Sequence, residues 1–225
     1  MKLEEAYSIA LERDKCLREG KIGKALALGA MLLFGGLMQS CSMETSIEDV
    51  PSGYEYVDTL NNIEDEDVRY CVKNYFSTSE QKSILSVLAQ ETTARAVLGT
   101  THCGFTKDGD CVYCYMDFDD NAIESQREEV VSNTDFITDI SSECFRRMTV
   151  IHELCHVLHD AEDGTSATSN GGHTTAWLNT FSEKLTEYVQ DSIDDGSIEL
   201  GEVNGKTNAS LVLAYIVNWK TSSYK

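Results

Sequence analysis

The stretch Thr149-Val150-Ile151-His152-Glu153-Leu154-Cys155-His156 holds the residues best suited to chemistry. On a helix, histidines at i and i+4 share one face about a turn apart, so two imidazoles can grip one metal ion. Glu153 is rotated around the helix from His152. It need not ligate, and can instead take a proton from an attacking water. This is an H-E-x-x-H pattern, and chance is a poor explanation for it in a chain with five histidines.

A catalytic zinc takes three protein ligands and leaves one position for water, so two imidazoles are not enough. His159 lies on nearly the same face as His152 but a turn beyond His156. An unbroken helix cannot bend it back to the same ion. It is expected beside the site, as a supporting side chain or pocket wall, or simply as a partly exposed histidine. His173 fits better. Residues 160–172 are rich in Asp, Gly, Ser, Thr and Asn and read as a loop. Such a loop can return the chain and deliver His173 at the start of a second helix. Glu183 and Glu187, further along that helix, are the fallback third ligands. The plain alternative is a surface histidine near a helix start.

The elements that must position these groups are readable. Ser141 and Ser142 can cap a helix, with Glu143 just behind. Phe145, Met148, Ile151, Leu154, Cys155 and Leu158 recur at helical spacing, predicting a buried helix over 141–160. A second helix is expected over 174–192, with Trp177, Phe181, Leu185 and Tyr188 on its core face.

Taken together, His152-Glu153-Leu154-Cys155-His156, a loop, and His173 followed four residues later by Trp177 resemble the SprT-like zinc metallopeptidases. The resemblance covers about residues 78–190. It implies His152, His156 and His173 as zinc ligands, Glu153 as general base, and a strand over 111–118 lining a cleft for an extended peptide. Two features depart from that family. Thr174 stands where it usually has Gly, and no cysteine follows Cys155 to build the four-cysteine ribbon of many members. The run completed by His159, H-E-x-x-H-x-x-H, also resembles lipoprotein metallohydrolases.

The 225 residues carry a formal net charge of −20. Such a body repels phosphate backbones, so nucleic acid is not expected as a partner. Residues 25–40 are uncharged and apolar, follow Lys21 and Lys24, and form a secretory-signal pattern. The pattern ends at Leu37-Met38-Gln39-Ser40-Cys41, which resembles a bacterial lipobox with Cys41 as the lipidated residue. Residues 1–20 read as an amphipathic helix with five acidic residues, unlike an ordinary short, basic signal start, so the true start is expected further in or the apolar run is an anchor. A membrane anchor, or a buried hairpin in a cytoplasmic protein, are the competing readings. We therefore expect an N-terminal segment over 1–41, a tether over 42–62 and one zincin-like domain over 63–225. Its location is expected to be exported and membrane-anchored.

Elsewhere, helices are predicted over 63–76 and 79–97. A β-hairpin is predicted over 99–118, turning at Lys107-Asp108-Gly109-Asp110. That register sets Cys103 opposite Cys114 and Thr106 opposite Cys111. Three readings compete for these thiols: a Cys103–Cys114 disulfide, a second zinc site made with His102, or buried thiols. Residues 119–140 read as an acidic, irregular loop over the cleft. Calcium at Asp117, Asp119 and Asp120 is a weaker reading than a solvated turn. Asn204-Gly205 marks a turn, and 208–219 reads as a final helix or strand.

The expected fold class is α+β: a small antiparallel sheet packed on the active-site helix, with a second helix completing a Zn²⁺ site. The expected activity is hydrolysis of protein or peptide substrates. Two alternatives stand beside it: a surface lipoprotein binding module with structural zinc, and a cytosolic DNA-associated SprT-like protease.

Overall fold

From Ser142 to Asp163 the chain has neither glycine nor proline, and Phe145, Met148, Ile151, Leu154 and Leu158 are all buried. Helix propensity and burial agree there. The computed structural model describes residues 43–45, 53–91, 100–106, 110–163, 173–203, 206–207 and 209–222. In chain order the described elements begin with strands β1 (Met43–Thr45) and β2 (Tyr54–Tyr56) and a 3-10 turn (Leu60–Asn62). Helices α1 (Glu66–Tyr75) and α2 (Thr78–Val87) follow, then strands β3 (Ala89–Glu91), β4 (Thr100–Phe105) and β5 (Cys111–Asp117). Next come α3 (Asp120–Ser132), β6 (Ile137–Ile140), α4 (Ser142–Asp163) and α5 (Thr175–Asp194). The last elements are β7 (Ile198–Leu200), β8 (Glu202–Val203), β9 (Lys206–Thr207) and α6 (Ala209–Ser222). The fold is therefore mixed α+β.

The described residues group into two compact units, one within Gln39–Arg127 and Ser142–Leu185, the other within Glu128–Ser141 and Thr186–Lys225. In the first, α1, α2 and the β4–β5 ladder all pack on α4. Strand β1 adds to β4 in parallel and β5 pairs with β4 antiparallel, giving the order β1-β4-β5. The sheet is thus mixed rather than wholly antiparallel. Asp65 caps α1 by accepting from the amides of Asp67 and Val68, both at 3.0 Å. Ser77 and Glu80 close a capping box on α2. Arg146 of α4 reaches Asp65 and Asp67, both at 2.6 Å, and Asp120 at 3.0 Å. Arg147 bonds Asp67 at 2.8 Å and lies 3.9 Å over the Tyr70 ring. These ion pairs fix α1 against α4.

In the second unit, β6 pairs antiparallel with β7, and Leu211, Val212, Ile216 and Val217 of α6 are buried. Gly196, at φ +83°, takes the left-handed conformation that ends α5. Gly201 donates to the Phe136 carbonyl at 3.0 Å. A Cβ at Gly201 would stand 2.5 Å from the Asp135 carbonyl oxygen, so only glycine fits.

Four further expectations are corrected. Helix α2 ends at Val87 instead of running to 97, because Leu88 turns extended and bridges to Cys114 and β3 pairs with β2. Residues 119–140 are not an irregular loop but hold α3 and β6, with Asp119 capping α3 through the amides of Asn121 and Ala122. Part of the span read as a tether contributes β1, β2 and the 3-10 turn, with Tyr54 and Tyr56 supplying β-favouring residues. In the hairpin, Cys103 does face Cys114, but a register shift at Gly104/Phe105 sets Phe105, not Thr106, opposite Cys111. The turn residues 107–109, Asn204-Gly205, the apolar run 25–40 and Cys41 lie outside the described residues. No helix among the described residues is long and apolar enough to cross a membrane.

Candidate metal centre

Because α4 is unbroken, His152 and His156 sit one turn apart on one face, with their Nε2 atoms 3.3 Å apart. His173 lies just ahead of α5, its Nε2 3.1 Å from that of His156. The three imidazoles form a group whose donor atoms all lie within 4.8 Å of one another. His152 and His156 are buried, while His173 is half-buried.

The start of α5 is fixed by Thr174. Its Oγ1 accepts from the Trp177 amide at 3.1 Å and lies 3.0 Å from His159 Nε2. The threonine that departs from the SprT-like pattern therefore caps the helix that follows His173. His159 stands beside the centre and holds that cap, and it is not among the three converging imidazoles. Trp177 is fully buried and forms the wall behind them. Its ring centroid lies 4.8 Å from His152, 4.7 Å from His156 and 4.5 Å from His173. Phe181, one turn on, packs against both Trp177 and His152 at 5.1 Å.

Glu153 is 2 % exposed. Its Oε2 accepts a 2.7 Å hydrogen bond from Thr101 Oγ1 of β4, and its Oε1 is 3.7 Å from His152 Nε2. Thr101 Oγ1 also lies 3.2 Å from the Glu153 carbonyl. Burial pushes the His156 imidazole well below its ordinary range, helped by the charges of His173 and His159. Burial likewise pushes His173 down to about 4. Both rings are thus neutral near pH 7 and present lone pairs, the form in which imidazole ligates.

Glu183 and Glu187 are exposed on α5 and do not belong to this group. Cys103 and Cys114 are bridged, with Cα atoms 4.2 Å apart, and the Cys111 sulfur is 3.5 Å from that of Cys114. Burial and the charge of Asp160 push the Cys111 thiol up to about 12. His102 turns away from the cysteines. It stacks on Tyr115 at 4.7 Å and approaches Asp117 at 3.5 Å. Of the acids weighed for calcium, Asp117 meets His102, Asp119 caps α3 and Asp120 meets Arg146.

Sequence reasoning missed Thr101. The one available signal was the hairpin register, which puts Thr101 on the same face as Cys103 and therefore on the α4 side. No family model, curated protein or solved structure matches the chain.

Proposed function

We propose that this chain is a zinc-dependent peptidase of the SprT-like, zincin type. The observation that carries the reading is the convergence of three imidazoles with a buried carboxylate beside them but outside the donor group. The donor set fits zinc: three nitrogen ligands from His152, His156 and His173 leave a position for water, whereas a structural site closes with four protein ligands. Zinc held there supplies Lewis acidity, polarising a scissile carbonyl and acidifying water towards a pKa of ~7.

The remaining steps belong to the chain's own side chains. Glu153, oriented by the Thr101 hydroxyl, takes the proton from the attacking water and returns it to the leaving amine. Trp177 and Phe181 exclude water behind the imidazoles and hold the ring planes. Protein or peptide is the substrate class that the motif resemblance supports. The charge of −20 weighs against a DNA-associated role. The apolar run ending at Cys41 supports an exported, lipid-anchored form.

The test compares wild type, Glu153→Gln and His173→Ala for bound zinc and for cleavage of an unfolded polypeptide. We expect Glu153→Gln to keep its zinc while cleavage falls ~10²–10⁴-fold. His173→Ala should lose zinc and activity together. Near-wild-type cleavage by Glu153→Gln would remove the base from the proposal.

A further inference from the structure

A second cluster of ligating atoms lies on the β4–β5 ladder, apart from the histidines. The Cys103, Cys111 and Cys114 sulfurs all fall within 4.8 Å of one another. The strand pattern alone does not provide this. Residues three apart on a regular strand point to opposite faces, so Cys111 and Cys114 should diverge. The register shift at Gly104/Phe105 places two residues of β5 against one of β4 and turns Cys111 back towards Cys114, to 3.5 Å between sulfurs. Bulges characteristically re-aim a side chain in this way. Cys103 and Cys114 are buried, and Cys111 is half-exposed, so the cluster has one accessible side.

We propose that Cys103, Cys111 and Cys114 form a second metal centre, for a soft thiophilic cation, that opens when the Cys103–Cys114 bond is reduced. In the bridged form one thiol remains, and a lone thiol does not hold a cation. A dithiol reductant passes two electrons and two protons to the bridge and itself becomes a disulfide. Cys103 and Cys114 become thiols. A soft divalent cation then displaces the three thiol protons and binds three sulfurs. The centre uses none of the histidine ligands, so it stands whether or not the chain is a peptidase.

The probe is Cd²⁺, read by the ultraviolet thiolate-to-cadmium charge-transfer band, which imidazole ligands do not produce. All proteins are full-length and carry Cys16→Ser and Cys41→Ser, to remove thiols outside the described residues. Wild type is compared before and after reduction by a phosphine that is then removed. The reduced chain should take up an additional cadmium and show the band, and the oxidised chain should lack it. Cys111→Ser, which leaves the bridge able to form, should weaken binding by the reduced chain at least ~10-fold. His156→Ala should leave the band in place. A reduced, folded wild type without the band overturns the proposal. So does an oxidised chain with the same band, or a Cys111→Ser chain of unchanged affinity.

Discussion

Thr101 and Glu153 come from positions fifty-two residues apart and meet at 2.7 Å in a buried setting. A hydroxyl is the smallest group that can both fill that space and donate to the carboxylate. Thr101→Val keeps the shape and deletes the donor, which leaves a buried carboxylate short of a partner at a cost of ~1–3 kcal/mol. We expect kcat to fall ~10-fold or more with little change in KM, and Thr101→Ser to restore it. Steady-state kinetics with a melting curve check this, and a loss confined to KM would assign Thr101 to substrate binding instead. Local spacing makes His152, Glu153 and His156 legible in sequence, because i and i+4 on a helix is a geometric statement. His173 is legible through the polar loop before it. Thr101 is not, since a lone threonine on a strand bears no mark of what lies across from it. The bond between Thr174 and His159 is equally hidden, although both residues lie in view of the motif.

At the scale of elements, α1 and α4 are joined by charge as well as by apolar packing. Burial alone would raise the Asp65 carboxyl. The Arg146 hydrogen bond, the Val68 amide and the Arg146 charge outweigh it and hold Asp65 below its ordinary 3.8. Its folded value is therefore the lower one. The stability it contributes is present above the unfolded value and is lost as pH falls through the folded value. Melting temperature followed from pH 6 downward should drop for wild type below ~4, and the slope should flatten in Asp65→Asn. Identical slopes would detach Asp65 from acid unfolding. The same scale shows where sequence reading stops. In α3 few positions are buried, Ile123 and Val130 among them, and acids fill much of the rest, so its helical period is faint. What starts it is a cap from Asp119, a residue that equally suits a loop. The reading of α2 ran too far because Leu88 and Ala89 continue an apolar pattern that strand pairing, not helix, finally uses. The strand pairing from Cys103 opposite Cys114 was legible, and the bulge that shifts it at Gly104/Phe105 has no local signature.

Over the whole molecule, two of the boundaries between the compact units fall inside α3 and α5, and another falls at Ser141/Ser142, between β6 and α4. A helix crossing a boundary carries none of the Pro, Gly or Ser enrichment that announces a linker, so boundaries of this kind leave no compositional mark. The residues of the histidine centre all belong to the first unit. If Cys41 is a lipidation site, the chain should partition with membranes when expressed in a bacterium, and Cys41→Ala should move it to the soluble fraction. Equal partitioning of both would leave the apolar run, not the cysteine, as the anchor. The position of Trp177 has one more consequence. The chain has two tryptophans, and this one touches every imidazole of the triad. Its emission is thereby a built-in lamp: with Trp219→Phe removing the other indole, titrating Zn²⁺ should change the brightness of Trp177 alone. The change should vanish in His173→Ala, so occupancy can be followed without any dye or substrate.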